Sequence, residues 1–328
     1  MNRRIVTVTP NPSLDRTVEL GGELQRGAVQ RATRSAAEPG GKGVNVSRAV
    51  RASGGDTVAV LPGDPTDPVL LALAGLGIPT AALPIGAPLR SNVTITEPTG
   101  TTTKINEPGP SLAAHADALV DLVVTSAAGA RWLVLAGSLP PGLADDALAE
   151  IVRAVRSASD DAGQDAPRIA VDSSGVPFTA LLASGVPIDL LKPNAEELAE
   201  VVGGDPDGYE ADPVRAATAA ARLLDRGVRA VLLTLGSAGA VLVTAAGSWS
   251  AAAPRITARS TVGAGDSALA GYLLAETAGG TPEQCLAQAV ASGAAAASLP
   301  GSTVPSLDQT RPGDVVVEPV RIAAPVIS

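Results

Sequence analysis

Residues 260–277 read STVGAGDSALAGYLLAET, a glycine-rich turn that opens a run of good helix formers. Gly263, Ala264 and Gly265 would leave backbone N–H groups free at the positive end of that helix, where a phosphate binds favourably. Asp266 falls in the first helical turn. Its carboxylate provides either helix-end electrostatics or a general base that takes a proton from a substrate hydroxyl beside a phosphoryl group. This segment alone leaves both interpretations open.

A second glycine cluster, PGGKGVNVSRAVRASGG at residues 39–55, also opens a helix. Lys42 is not a Walker lysine, because GKG lacks the Ser or Thr that magnesium requires and the upstream glycine spacing is absent. Free N–H groups near Gly41, together with Lys42 and Asn45, suit sugar hydroxyls or a phosphate. A solvated lysine in a turn is the alternative.

The third informative segment is LLKPNAEEL at residues 190–198, which follows an apolar strand. Lys192 and Pro193 turn the chain, Asn194 can cap the next helix, and Glu197 occupies the third helical position of a capping box. Capping explains these residues locally. The alternative is that Asn194 and Glu197 act, mostly through water, on a magnesium ion bound to ATP.

Short Val, Ile and Leu runs alternate with Ala-rich helical stretches. Strands are predicted at residues 4–8, 57–61, 132–136, 168–172, 188–191, 229–235 and 240–244, and helices at 113–128, 145–159 and 212–226. This pattern indicates an α/β fold with a mostly parallel central sheet and helices on both faces. Right-handed crossovers bring the carboxyl ends of the strands to one edge, where ligands of such sheets usually bind.

Two segments, about 14–34 and 88–108, break this alternation. They are rich in Thr, Val and charged residues, as in SNVTITEPTGTTTKIN. We predict that they form a small β-sheet lid over the edge of a single domain spanning residues 1–328. Ordinary surface hairpins are the alternative.

The composition argues against several classes of protein. A net charge of -9 disfavours nucleic acid as a partner. The chain contains no run of about 18 strongly apolar residues for a membrane span, and its start lacks the apolar length of a signal peptide, so a cytoplasmic location is expected. Cys285 fits a packing role in a helix, and His115 has no catalytic constellation around it. The tail after Pro312 is expected to be peripheral.

Taken in order, GGKGVNVSRA, KPNAEEL and STVGAGDS resemble the ribokinase/PfkB family of carbohydrate kinases. Further matches are TPNPSLD (9–15), RSNVTI (90–95), KINEPGP (104–110), AGSLPPG (136–142), VDSSG (171–175) and TLGSAGA (234–240). They extend from residue 9 to about residue 270. Within the family, the NP-x-x-D opening, GSLPPG and Ser260 resemble the branch of bacterial 1-phosphofructokinases and tagatose-6-phosphate kinases. The resemblance implies a ribokinase-like central sheet with flanking helices and a β lid.

The resemblance also implies roles for individual residues. Asp266 would be the base, and the backbone of Gly263, Ala264 and Gly265 the anion hole. The sugar phosphate would be held by Asp15, Gly41, Lys42, Asn45, Arg90, Asn106 and Ser138, with Arg90 on its phosphate. The ATP phosphates, the nucleotide and magnesium would be met by Lys192, Asn194, Glu197, Thr234, Gly236 and Gly239, and Asn194 and Glu197 would reach the metal through water.

The implied reaction uses ATP and Mg²⁺ to convert fructose 1-phosphate into fructose 1,6-bisphosphate. The nearest alternative is the same chemistry on tagatose 6-phosphate, whose phosphate lies at the opposite end. An alternative from another class is a non-catalytic sugar-phosphate sensor, which loss of Asp266 or of the glycines would favour. A homodimer through the lid is also expected.

Overall fold

The computed structural model describes residues 3–322. The strands in this part are β1 (Ile5–Val8), β2 (Ser13–Leu20), β3 (Ala32–Gly40), β4 (Thr57–Pro62), β5 (Thr80–Leu83), β6 (Arg90–Thr96), β7 (Thr102–Asn106), β8 (Trp132–Ala136), β9 (Arg168–Asp172), β10 (Leu190–Leu191), β11 (Ala230–Thr234), β12 (Ala240–Thr244), β13 (Gly247–Ala251) and β14 (Val317–Pro319). The helices are α1 (Lys42–Ala52), α2 (Pro68–Gly75), α3 (Ala116–Ala127), α4 (Ala147–Asp161), α5 (Gly175–Ala183), α6 (Ala195–Val202), α7 (Pro206–Ala211), α8 (Pro213–Ala221), α9 (Ala264–Thr277) and α10 (Pro282–Ala297).

Ten strands form the main sheet, in the order β14-β13-β12-β11-β10-β9-β8-β1-β4-β5. Pairing is parallel from β5 to β11 and antiparallel from β11 to β14. The prediction of a mostly parallel α/β sheet is confirmed. Runs such as WLVLA in β8 are buried along their whole length, which requires cover on both faces.

Alternate residues of each strand face two different helical layers. In β8, Leu133 packs into a core built with α3, α4, α5, α6 and α8, whereas Val134 packs into a core built with α1, α9 and α10. Full burial of such a side chain stabilises the fold by about 1.5–3 kcal/mol. This second layer holds α1 and α9 side by side and so fixes the two helix starts that carry the glycine clusters.

A separate four-stranded sheet has the order β3-β2-β6-β7. Strands β2 and β6 are parallel, and β3 and β7 pair antiparallel on the two outer sides. The predicted segments 14–34 and 88–108 supply these strands, although β3 continues six residues further than expected, to Gly40. That extension runs directly into α1, and it therefore joins the small sheet to the helix carrying Lys42.

The structure departs from the predicted elements in several places. The helix predicted at 113–128 begins with a 3₁₀ turn, and the one predicted at 212–226 ends at Ala221, before a second 3₁₀ turn. In the tail, β14 adds an edge strand to the main sheet, and residues 323–328 lie outside the described part. Cys285 is buried on α10, as expected of a packing residue, and burial raises the pKa of its thiol to about 12. No helix within residues 3–322 combines the length and apolar character needed to cross a bilayer.

Candidate active site

The amino end of α9 carries Asp266 at its third helical position. The N-cap residue is Gly263, whose φ of 75° lies in the left-handed region that favours glycine. Asp266 is only 7% exposed, and its Oδ2 accepts a hydrogen bond of 2.9 Å from Asn45 Nδ2 on α1. Burial and then the neighbouring Asp172 raise the pKa of Asp266 to about 6, against the opposing effects of Asn45 and the nearby lysines. A carboxylate with this pKa is ionised at neutral pH and is a stronger base than an ordinary aspartate.

Asp172 ends β9 and lies between two lysines from different elements. Lys42 Nζ at the start of α1 lies 2.7 Å from Asp172 Oδ1, and Lys192 Nζ after β10 lies 2.9 Å from Asp172 Oδ2. Burial alone would raise the pKa of this carboxyl, but the two lysines outweigh burial and hold the pKa below its ordinary value. The sequence prediction missed Asp172. Its position at the carboxyl end of a predicted strand, within VDSSG, was the only signal available.

Lys192 also stands against the glycine loop. A Cβ added to Gly265 would lie 3.3 Å from Lys192 Nζ, so a glycine lets the ammonium group approach the start of α9. For Lys42, burial lowers the pKa, but Asp172 and Glu197 outweigh it and raise the pKa above the ordinary value. Lys42 is therefore cationic at any physiological pH, and Lys192 forms an ion pair with Asp172. Together with the N–H groups at the start of α9, the two lysines form a site for an anion.

The capping box predicted at the start of α6 is present. Asn194 Oδ1 accepts from Glu197 N at 2.7 Å, and Glu197 Oε2 accepts from Asn194 N at 2.9 Å. The other carboxylate oxygen, Oε1, lies 3.2 Å from Lys42 Nζ. Within residues 3–322, no three His, Cys, Asp or Glu side chains form a group that could hold a metal ion.

The residues predicted to line the nucleotide follow β11 at the same edge. Thr234 pairs with Asn194 through a parallel bridge, which brings this loop beside the capping box. Gly236 and Gly239 have φ values of 55° and 110°. A Cβ on Gly239 would fall 2.0 Å from Ala251 O, so only glycine fits there. A cavity of about 250 Å³ opens beside the loop, with a lining that includes Leu235, Ala238, Ala240 and Ala251.

Asp15 occupies the inner end of the small sheet. Its Oδ1 accepts from Ser13 Oγ at 2.7 Å and from Asn92 Nδ2 at 3.0 Å. A Cβ on Gly40 would fall 2.1 Å from Asp15 Oδ2, so the carboxylate lies directly against the glycines that precede Lys42. Asn106 pairs with Asn92 across β6 and β7 and is exposed.

Arg90 is held at the junction between the two sheets. Its two terminal nitrogens donate at 3.0 Å to Glu107 O and Asn11 O. Asn11, a second residue that the sequence prediction missed, donates from Nδ2 to Ser138 Oγ at 3.3 Å. Arg90, Ser138 and Asp15 therefore gather around the segment that follows β1. They meet the cluster of Lys42, Lys192 and Asp266 at Gly40 and Gly41.

Comparison with known proteins agrees with this geometry. Residues 10–309 match the pfkB family carbohydrate kinase model. The ATP-dependent 6-phosphofructokinase isozyme 2 of Mycobacterium tuberculosis is 34% identical over 325 residues, which cover 97% of this chain and 91% of that protein. The 1-phosphofructokinase of Xanthomonas campestris is 36% identical over 301 residues, 89% of this chain and 90% of that protein.

Among solved structures, the phosphofructokinase-2 of Escherichia coli, in complex with substrates and products, superposes with a TM-score of 0.82. It is 31% identical, and the match covers 93% of this chain and 96% of that one. The ordered motifs, the fold and these relatives agree over nearly the whole described length, and the predicted resemblance is confirmed. This chain belongs to the pfkB family of carbohydrate kinases.

Proposed function

We propose that this protein is an ATP-dependent kinase that converts fructose 1-phosphate into fructose 1,6-bisphosphate and ADP. The observation that carries the proposal is the position of Asp266, a buried carboxylate in the first turn of α9 beside Lys192 and the glycine loop. Relatives named 1-phosphofructokinase, including those of Xanthomonas campestris and Haloferax volcanii, support the choice of substrate.

In the proposed step, the Asp266 carboxylate accepts the proton of the free primary hydroxyl of the sugar. The hydroxyl oxygen forms a bond to the γ-phosphorus while the bond from that phosphorus to the bridging oxygen of ADP breaks. Negative charge spreads over the transferred oxygens, so positioned N–H donors and cations provide most of the stabilisation. The N–H groups of Gly263, Ala264 and Gly265 and the ammonium group of Lys192 meet this requirement.

Arg90 is suited to the phosphate already on the sugar. A guanidinium carries five N–H donors, and the bonds to Glu107 O and Asn11 O engage one hydrogen of each terminal nitrogen. Those two bonds fix its plane, and the remaining donors are available to phosphate oxygens, for which this planar fork is well matched. Asp15, held by Ser13 and Asn92, would accept hydrogen bonds from sugar hydroxyls.

Magnesium, when bound to the ATP phosphates, supplies charge neutralisation there. Each carboxylate oxygen of Glu197 already takes one partner, Asn194 N or Lys42 Nζ. These residues therefore suit contact with the ion through water, which agrees with the water shell that magnesium usually keeps. The cavity beside Gly236 and Gly239, with its mainly apolar lining, is the place we assign to the nucleoside.

A second candidate substrate is fructose 6-phosphate, because the Mycobacterium tuberculosis relative named a 6-phosphofructokinase matches 97% of this chain. Phosphorylation of either sugar gives the same bisphosphate, so the product does not distinguish them. Tagatose 6-phosphate remains the third candidate. A sensor without catalytic activity is disfavoured because Asp266 and the glycines are present and come together.

The test is a substrate panel. Purified protein with ATP and magnesium is offered fructose 1-phosphate, fructose 6-phosphate, tagatose 6-phosphate and free fructose, and ADP release gives kcat/KM for each. We expect the highest value for fructose 1-phosphate and loss of turnover in an Asp266→Asn control. A higher value for either 6-phosphate would reassign the substrate, and no sugar-dependent ADP release would refute the kinase.

The small sheet is proposed to act as a lid and to pair with a second copy of the chain. Its outer strands β3 and β7 are largely exposed, and Ile105 on β7 is 56% exposed, which leaves apolar surface for a partner. Closure of a lid excludes water and limits wasted ATP hydrolysis. Light scattering on Ile105→Glu against the unmodified protein tests the pairing. A monomeric unmodified protein would refute it.

A further inference from the structure

Arg48 is a buried arginine to which the proposed reaction gives no role. It lies on α1, one turn after Asn45, and is only 8% exposed. Burial lowers the pKa of its guanidinium, and Glu38, Asp15 and Asp266 act in the opposite direction. An arginine stays charged in proteins, so this is a permanent cation held close to the general base.

The guanidinium is fixed from two sides. Nη1 donates to Pro39 O and to Asn45 Oδ1, both at 3.1 Å, and Nη2 lies 3.7 Å from Glu38 Oε2. Glu38 is in turn held by a hydrogen bond from Ser302 Oγ. A side chain with this many partners occupies one orientation, and it can therefore impose an orientation on Asn45.

The amide of Asn45 has two chemically different ends, and Arg48 determines which way they point. Oδ1 accepts from Arg48, so the amino group faces the other way and donates to Asp266 Oδ2 at 2.9 Å. A flipped amide would place two donors against each other at Arg48 and two acceptors against each other at Asp266. The observed orientation is the only one that satisfies both neighbours.

We infer that Arg48 is a positioning residue for the general base, acting through the Asn45 amide. This inference rests on the proposed function, in which Asp266 deprotonates the acceptor alcohol. With Oδ2 held by Asn45, Oδ1 is the oxygen left to meet the hydroxyl. Asn45, expected from the sequence to hold the sugar, then also orients the base, because its amide oxygen accepts from Arg48 and its amino group donates to Asp266.

A purely structural ion pair would have different consequences. Loss of such a pair would lower stability, and it would act on Asp266 only by removing a nearby positive charge. Loss of a positioning residue would free the Asn45 amide, and Asp266 would lose a donor that stabilises its charged form. The other charged groups that act on Asp266 are Asp172 at the end of β9, Lys192 after β10 and Lys42 on α1.

The experiment compares Arg48→Met, which keeps apolar volume and removes every donor, with Arg48→Lys, which keeps the charge and one donor group. For Arg48→Met with fructose 1-phosphate, we expect kcat to fall by about 10- to 100-fold because the base is misplaced, while KM changes little. The acid limb of the kcat/KM profile should move to higher pH. Arg48→Lys should recover part of both properties.

The Asn45→Ala background separates positioning through the amide from a direct effect of charge. Residues that act as a unit are not additive, so Arg48→Met should cause little further change in that background. A full additional loss there would overturn the inference. An unchanged acid limb in Arg48→Met, with a lowered melting temperature as its only effect, would also overturn it.

A readout without turnover keeps the two proposals apart. The titration of the Asp266 carboxyl can be followed by ¹³C NMR on aspartate-labelled protein, assigned by comparison with Asp266→Asn. Its midpoint should rise in Arg48→Met and in Asn45→Ala. If no ketohexose phosphate is phosphorylated, the proposed function fails, yet this titration still tests the relay. If Arg48→Met does not fold, a midpoint unchanged in Asn45→Ala refutes the inference.

Discussion

Acidification is expected to stop the reaction by protonating Asp266. Burial and the adjacent Asp172 raise the pKa of this carboxyl to about 6. The free base should therefore disappear as the pH falls through 6, well above the range in which an ordinary aspartate titrates. The kinase would then lose activity under mildly acidic conditions.

The size of the effect follows from the ionised fraction. With a pKa of about 6, roughly nine-tenths of the carboxyl is charged at pH 7 and roughly one-tenth at pH 5. The titration of Asp266 alone should therefore lower kcat/KM for fructose 1-phosphate by about ten-fold for each pH unit below 6, with no further change above about pH 7.

The assay measures ADP release between pH 5 and 9 for the unmodified protein and for Asp266→Asn. The phosphate of the substrate also titrates near pH 6, so one profile alone does not identify the group. Residual activity in Asp266→Asn, expected to be about 10²- to 10⁴-fold lower, retains the substrate's titration and loses that of the base. The reasoning is refuted if both proteins show the same acid limb, or if activity is constant down to pH 4.5.

Four other changes give separate tests. Arg90→Ala should raise KM for the sugar phosphate by about 10- to 100-fold, which corresponds to the free energy of one charge-assisted hydrogen bond, and should change kcat little. An unchanged KM would show that Arg90 does not bind the phosphate. Gly265→Ala places a Cβ 3.3 Å from Lys192 Nζ and should lower kcat with little effect on melting temperature, which normal turnover would contradict. Asp172→Asn leaves two neighbouring ammonium groups without their carboxylate and should cost about 3–5 kcal/mol in urea unfolding; an unshifted midpoint would argue against it. Asp266→Asn should stabilise the protein at pH 8. Because the folded pKa is near 6 and the ordinary pKa is 3.8, protonation of Asp266 favours folding below about pH 4, and this advantage is lost between pH 4 and 6. The buried charge then costs about 3 kcal/mol, so a lower melting temperature of the variant would contradict the sign.

The main sheet was predictable because its strands are buried on both faces. Trp132–Ala136, Arg168–Asp172 and Ala240–Thr244 were located without error, since a short uninterrupted apolar run between helices is typical of a strand with both faces covered. The strand Gly247–Ala251 was missed because GSWSA contains no apolar run; it takes its place by pairing antiparallel with β12 and β14. The extension of β3 to Gly40 was missed because Pro and Gly are atypical of strands.

The sequence predicted several individual site residues but not the contacts between them. Asp266, Lys42 and Lys192 lie in glycine- and proline-marked turns with recognisable spacing. Arg48 was overlooked although its partners Pro39 and Asn45 are close in sequence, because these contacts depend on the turn between β3 and α1. Asp172 was overlooked because its partners come from long-range folding: Lys42 is 130 positions from Asp172. A single sequence carries no local pattern for such a contact. The role expected for Asn45 was also incomplete, since its two hydrogen-bonding partners in the protein became visible only in three dimensions.

Lys42 and Lys192 act on two carboxylates at once, because they pair with Asp172 and also lower the pKa of Asp266. If the nucleoside triphosphate binds at these ammonium groups, as proposed, it brings new negative charge beside them and weakens their effect on the pKa of Asp266. The basicity of Asp266 therefore increases when the nucleotide binds. Before the nucleotide binds, Asp266 is therefore the weaker base, and binding of the phosphoryl donor itself strengthens the base that deprotonates the alcohol.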